Sequence, residues 1–383
     1  MAIRVRHLAD GSVQSSDAST YTLNLPETGF LHALLVTVSA TNGATSGRAV
    51  SPLDIADNVR VMVNGDERAF DLTPAEIEKC HESWAGYGLT MKQDESAAAV
   101  QSVVLPVLFG RWIEDMEYFL PCSRVKAPKL EVVYSPTIAA DGGFATGTTT
   151  IDVVALWSPE SDRLAYRGTL VNRTVKAFTS LASGDENTDI DTNELIRAIS
   201  IYAYEAAVED GTDVTAVILR ANSGEFDLFN GDWQTLLDTT RHRHWCEILH
   251  SFKTFLQNND TLATRLGHII SITWNVLTTD LLASNIVYHQ HPDAIAGDTI
   301  TVDATTIDIS AGAEDLLADA ADRAALVEVR GYSPSYFGMI EFTSPDSESG
   351  WLNPAEYSAL DLIVTQGGAG AAVRISTQTV HKY

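Results

Sequence analysis

Three observations predict an all-β chain of two related sandwiches, with a few short helices and an insertion in the second. Short runs of alternating apolar and polar residues, bounded by turn residues, recur along most of the 383 residues. A block of strand, Asn/Gly turn, strand and helix occurs once in each half. Long regular alternation of strand and helix is missing, which disfavours Rossmann and TIM-barrel folds. Single cores rarely grow past about 250–300 residues, so this length already asks for two or three domains.

The elements follow in order. Tyr21–Leu25 alternates, Pro26–Gly29 is a turn, and Leu31–Ser39 (LHALLVTVS) reads as a strand. Val59–Val63 (VRVMV) has strict period two and runs into Asn64–Gly65, a strong hairpin signal, then Ala69–Leu72. Val103–Phe109, Leu130–Tyr134 and Thr149–Trp157 are further strands. Thr73-Pro74-Ala75-Glu76 is a capping box with proline at the first helical position, so a helix is predicted from Pro74 to Trp84. A second helix is expected from near Asn230 toward Leu256. A third, Ala313–Ala325, opens with Glu314 and Asp315.

The repeat is the most informative feature. Val59–Leu72 (VRVMVNGDERAFDL) matches Thr215–Leu228 (TAVILRANSGEFDL), each followed by a helix carrying His and Trp: His81 and Trp84, then His244 and Trp245. Leu31–Ser39 precedes the first copy and Leu195–Tyr204 the second. Downstream, Leu105–Trp112 matches Ser335–Phe342, Lys129–Tyr134 matches Ala359–Val364, and Thr149–Trp157 matches Val373–His381. The shared order indicates duplication, with a boundary near Ser158–Tyr166. The surplus of the second half lies between Arg241 and Arg330. It includes strand-like Ile269–Leu277 and Thr299–Ile309 and is expected as loops or a small tower on one end of the second sandwich.

Lys+Arg is 25 against Asp+Glu 51, a net charge of −26. That balance argues against wrapping nucleic acid or lying broadly on an anionic membrane. Lysine is scarce, which suits high salt and a halophilic or marine source; an ordinary acidic surface kept soluble by repulsion is the plainer reading. No apolar stretch approaches the ~18–20 residues of a membrane span. The opening MAIRVRHLADGS lacks the apolar core of a secretion signal. Cys80, Cys122 and Cys246 are odd in number and widely spaced, so no disulfide framework is expected and an intracellular folding compartment fits.

Two sandwiches in one chain, each with this strand–turn–strand–helix module, resemble the double jelly-roll major capsid proteins of tailless icosahedral DNA viruses. Tyr21–Ala40 (YTLNLPETGFLHALLVTVSA), Val59–Ile77 (VRVMVNGDERAFDLTPAEI) and Val103–Pro121 (VVLPVLFGRWIEDMEYFLP) carry the likeness, which extends from about residue 17 to the end. It rests on pattern and order, and the 241–330 segment fits no part of it. The resemblance implies an N-terminal arm over 1–16, a first jelly roll over 17–158, a linker over 159–166 and a second jelly roll over 167–383. It implies a structural, non-enzymatic coat protein, assembled in the host cytoplasm into homotrimeric, pseudo-hexameric capsomers of the virion. Neighbouring capsomers and minor capsid proteins would be its partners, with no direct genome contact and no cofactor. The arm, with Arg4, Arg6 and His7, would face inward, against an internal membrane or beneath its own trimer. The alternatives are a carbohydrate-binding or carbohydrate-processing sandwich, or a minor vertex or spike component.

No residue is expected to be catalytic, cofactor-binding or metal-binding. His242, His244, Cys246 and His250 cluster in HRHWCEILH, but on one helix His242, Cys246 and His250 would span about 12 Å, too far for one ion. A mixed core or interface helix is the reading; a two-residue site with outside ligands is the alternative. Asp185, Asn187, Asp189, Asp191 and Asn193 alternate like a calcium loop, but Ile190 and Ile196 stand where glycine and glutamate are required. A surface loop is expected there, with opportunistic Ca²⁺ binding as the lesser alternative. Gly367-Gly368-Ala369-Gly370 is a turn with no phosphate-loop lysine after it. Asp115 and Glu117 beside Trp112 form a weak acid-pair candidate. Trp157, Trp233, Trp274 and Trp351 read as core or interface anchors.

Overall fold

A computed structural model describes residues 3–45, 50–162, 164–205, 211–256, 323–342 and 347–383, and the backbone of five strands between 257 and 322; side chains from 254 to 325 are not described. The first half contains β1 (Arg4–Val13), β2 (Ser19–Asn24), β3 (Phe30–Thr41), β4 (Asn58–Val63), β5 (Glu67–Leu72), α1 (Pro74–Ala85), β6 (Met91–Asp94), β7 (Val100–Leu108), β8 (Leu120–Pro121), β9 (Lys129–Tyr134) and β10 (Thr150–Ser158). The second contains β11 (Thr169–Thr179), β12 (Gly184–Asp189), β13 (Leu195–Tyr204), β14 (Val214–Ala221), β15 (Phe226–Asp232) and α2 (Trp233–His244). It continues through β16 (Cys246–Leu256), β17 (Asp260–Ala263), β18 (Ile269–Leu277), β19 (Asn285–His289), β20 (Thr299–Val302), β21 (Ile307–Asp308) and β22 (Arg323–Ser333) to β23 (Phe337–Glu341), β24 (Leu360–Gln366) and β25 (Ala372–His381).

The strand order is that of a jelly roll, twice. In the first half one sheet runs β1-β10-β3-β7 and the facing sheet β2-β9-β4-β5; in the second the orders are β11-β25-β13-β23 and β12-β24-β14-β15. Strand for strand these are the same path, and every pair matched in the sequence repeat occupies the same place in its roll. Period-two alternation drives each sandwich. Leu34, Val36 and Val38 of β3 face Val59, Val61 and Val63 of β4 in the first core, and Val217 and Leu219 of β14 face Ile199 and Ile201 of β13 in the second. Each such side chain contributes about 1.5–3 kcal/mol on burial.

Residues 4–13 are not an arm outside the first roll but its first strand, paired antiparallel with β10 from Arg4↔Trp157 to Val13↔Thr150. The strand was hidden because its register slips between His7 and Ala9 and again between Ala9 and Ser12, and because it buries no residue. Only Leu8 and Ala9 pack against the core, at adjacent positions, so there is no alternation to read.

The first helix forms as its capping box demands. Thr73 Oγ1 accepts from the Glu76 amide, Glu76 Oε2 accepts from the Thr73 amide at 2.9 Å, and Gly86 closes the C-terminus at φ 76°. Thr73→Ala is expected to cost about 1 kcal/mol, read as a lowered midpoint in urea unfolding, and Thr73→Ser to restore it. An alanine variant as stable as the parent would show that the cap contributes nothing.

The second helix stops at His244, well short of Leu256. Arg241, His242, Arg243 and His244 suit its C-terminal carbonyls. Beyond it, buried Cys246, Ile248 and Phe252 alternate with exposed Glu247, Leu249 and Ser251, so the chain continues as β16. Ala313–Ala325 lies outside the described residues except for its last three, which begin β22.

Four described strands of the segment between α2 and β23, namely β16, β22, β18 and β19, form a ladder that is joined to the first roll. Cys246–Leu256 pairs along its length with Arg323–Ser333, β18 adds to β22 and β19 to β18. This ladder joins the first roll: Phe252 and Lys253 of β16 pair in parallel with Gln93 and Asp94 of β6, which itself borders β7. The result is a ten-stranded sheet. On the other side, Asn172 and Arg173 of β11 pair in parallel with Phe70 and Asp71 of β5, making an eight-stranded sheet that runs through both rolls.

Candidate functional site: the seam between the rolls

Helix α1 belongs to the first roll but is buried against the second, and it carries the polar groups of the seam. Glu76 is 2% exposed. Besides Thr73, it accepts hydrogen bonds from Thr174 Oγ1 of β11 at 3.2 Å and from Ser376 Oγ of β25. A carboxylate of one roll is thus satisfied by hydroxyls of the other. Nearby, Asp71 holds Arg60 at 3.1 Å and Arg68 at 2.5 Å, while its backbone oxygen accepts from Thr174 Oγ1.

One turn on, Lys79 is buried between Glu82 at 2.9 Å and Glu78 at 3.4 Å. Burial works against the ammonium, but the two carboxylates outweigh it and hold Lys79 charged. Burial pushes Glu82 up, opposed by Lys79 and by the hydroxyl of Ser333 at the end of β22. Cys246 Sγ reaches the Glu82 carbonyl at 3.6 Å. The same helix face therefore clamps the ladder of the second half.

Aromatic contacts close the seam. The Arg197 guanidinium of β13 lies 3.8 Å from the centre of the Trp84 ring and donates to Gln378 Oε1 at 2.7 Å. Trp84 also meets His244 edge-on at 4.9 Å, and His244 Nε2 pairs with Glu341 Oε2 at 2.8 Å. At the other end, Arg111 forks onto Asp115 at 2.7 and 3.0 Å and reaches Glu117 at 2.8 Å, with its guanidinium over Trp112 and Tyr118. Tyr118 in turn donates to Glu348 of the second half.

The residues singled out in the sequence fall into structural places. His242 and His244 end α2, whereas Cys246 and His250 lie on β16, so the helical stack does not exist. Asp185, Asn187 and Asp189 are on strand β12, paired with β24, and not in a loop. Period two spaces them along one face instead of around a point. Among the described residues no group of three acidic, His or Cys side chains could hold a metal ion. The turn 367–370 packs on residues 212 and 213, where a Cβ on Gly368 would lie 2.4 Å from Asp213 Oδ1. Burial raises Asp115, but hydrogen bonds from Arg111 and from backbone amides prevail and hold it below the usual carboxylate range, an ion-pair partner and not a proton donor. Trp233 and Trp351 are buried, Trp157 donates to Thr28 O at 2.9 Å, and the Trp274 side chain lies outside the described residues. Glu76 was read only as a helix cap, and the seam residues Lys79 and Arg197 were not singled out; their signal is a charge inside an apolar-periodic run, as in LIRAISIYAY.

Burial also sets the pH response. It lowers His32, whose Nδ1 faces Asp115 O at 3.0 Å, and His250, opposed in the latter by Glu78. Both have an ordinary value of 6.5, so unfolded chains take up these protons at a pH where folded chains do not. Their contribution is whole above 6.5 and is lost as pH falls through the folded values. His381 acts oppositely: its hydrogen bond to Glu194 raises it, so its contribution is whole below 6.5 and is lost as pH rises through the folded value. The thermal midpoint is expected to fall on acidification below 6.5, and His32→Gln to flatten that fall. An unchanged slope in the variant would remove His32 from the account.

No family model and no curated protein matches the chain. Solved structures do. The STIV major capsid protein aligns over 100% of this chain and 98% of its own, at a TM-score of 0.55 and 8% identity. A chain from the atomic structure of Sulfolobus turreted icosahedral virus aligns over 100% and 92%, at 0.57 and 8% identity. The major capsid protein P2 of bacteriophage PM2 aligns over 99% and 98%, at 0.51 and 10% identity. Such identity speaks for fold, and the coverage speaks for the whole path, both rolls included. The chain therefore has the double jelly-roll fold of the major capsid proteins of tailless icosahedral viruses.

Proposed function

We propose that the protein is a structural major capsid protein whose trimers form pseudo-hexameric capsomers of an icosahedral shell. The observation that carries this reading is the fusion of two rolls of identical strand order through one continuous sheet. Such a chain presents two similar walls side by side, and three copies approximate six-fold symmetry. The role is mechanical, and no reaction is assigned to it. Neighbouring capsomers and minor capsid proteins would contact the roll walls, in a virion assembled in the host cytoplasm. Arg4 and Arg6, exposed on β1, offer cations to an anionic internal membrane. The charge of −26 keeps subunits apart until salt screens it, and argues against direct genome contact.

Light scattering on the purified chain, at low and high salt, tests this. A particle of three times the 41.5 kDa chain mass is expected, triangular or hexagonal in negative stain. A monomer under both conditions would overturn it.

A further inference from the structure

A cavity of about 470 Å³ opens between α1, the end of β7 and residues 110–114. Its closed end is made by Phe70, Leu72, Ile77 and Arg197, each 2% exposed. Its mouth is flanked by Tyr87 and Trp112, 57% and 47% exposed. Asn172, Arg197 and Gln378 bring three strands of the second roll to this cavity, so it belongs to the seam and is shared by both halves.

The size is that of a small-molecule site, with mostly apolar walls and a few polar groups converging at one end. Water finds few partners along Phe70, Leu72 and Ile77, so an apolar chain displaces it readily. The polar groups from the second roll include donors, and the one carboxylate of the lining, Glu114, is exposed beside Trp112 at the mouth. Arg197 brings a permanent positive charge and a planar guanidinium, a geometry that suits a carboxylate, to this end. Gln378 commits its Oε1 to Arg197, which leaves its amide nitrogen as the donating atom. The Trp84 ring, also in the lining, lies 3.8 Å from the guanidinium carbon and helps hold it in place.

We propose that this cavity binds an aliphatic monocarboxylate, with the chain along Phe70, Leu72 and Ile77 and the carboxylate at Arg197, Asn172 and Gln378. Bound there, it touches both rolls and ties them together. The site is independent of the shell reading, since it needs only the folded chain.

Dodecanoate, kept below its micelle concentration, is the probe, and isothermal titration calorimetry on the full chain is the measurement. Saturable binding of one molecule per chain is expected, with a negative heat-capacity change, a change in tryptophan fluorescence from Trp84 and Trp112, and a raised thermal midpoint. Dodecanol, with the same chain and no charge, is expected to bind at least about tenfold more weakly. Arg197→Gln should weaken dodecanoate by a similar factor. Because Arg197 is buried and its loss can unfold the chain, Ala85→Phe is the second variant. Ala85 is exposed at the mouth, so the substitution should block entry while leaving the ligand-free midpoint unchanged. No saturable heat with dodecanoate, equal affinity for dodecanol, or undiminished binding by Ala85→Phe would each overturn the proposal.

Discussion

Replacing Lys79 with methionine is expected to destabilise the folded chain by about 3–5 kcal/mol, the largest effect of any single charge in the seam. The methionine fills much of the same space, so the loss is electrostatic. Glu78 and Glu82 remain buried beside α1 with no cation between them. Among the described residues Glu78 Oε2 has no hydrogen-bond partner to soften this, and His250, lowered by burial, stays neutral near neutral pH. The double variant Lys79→Met, Glu82→Gln removes one charge of each sign and should recover a substantial part of the loss. Urea unfolding of the parent, single and double variants reads the difference. A single variant within about 1 kcal/mol of the parent, the ceiling for a surface pair, would show that the trio does not act as a buried unit.

Trp233→Ala is expected to cost a comparable amount, about 3–5 kcal/mol, for a different reason. Trp233 opens α2 and is 1% exposed in the second core, with Leu236 and Leu237 beside it. The helix lies so close to β23 that a Cβ on Gly338 would fall 2.5 Å from Leu236 and 3.5 Å from the indole. That fit leaves no slack to refill the hole left by an indole, so the cavity term is added to the transfer term. Trp233→Phe should fall between parent and alanine. Thermal unfolding monitored by circular dichroism checks the order, and an alanine variant with an unshifted midpoint would show that the ring does not anchor α2.

Much of this architecture was legible because local and global preferences agree. The Asn64–Gly65 turn, the VRVMV alternation and the Thr73–Glu76 box each name one element, and the repeat names where each element sits in its roll. Legibility failed where burial and periodicity part company. Residues 4–13 form a strand with no fully buried residue, so its partner β10 defines it. Cys246–Leu256 continues a helix without a break in composition, and its period is visible only once the helix end at His244 is known. The seam was hidden for a deeper reason. Pairings such as Phe252 with Gln93 and Asn172 with Phe70 connect residues far apart in sequence. Charges such as Lys79 and Arg197 look like surface residues until the opposite roll covers them.

The parallel step from β6 to β16 has a consequence for biosynthesis. A chain emerging from the ribosome completes all eight strands of the first roll by Ser158, yet β6 stays an open edge until residues 252 and 253 have been made. An uncovered edge is a template for any strand that reaches it. On a polysome, the strands within reach belong to neighbouring nascent copies of the same protein. The first roll is therefore a domain by topology but not by autonomy. A gene divided between Ser158 and Thr169 should yield a first half that aggregates when made alone and becomes soluble when the second half is co-expressed to supply β16 in trans.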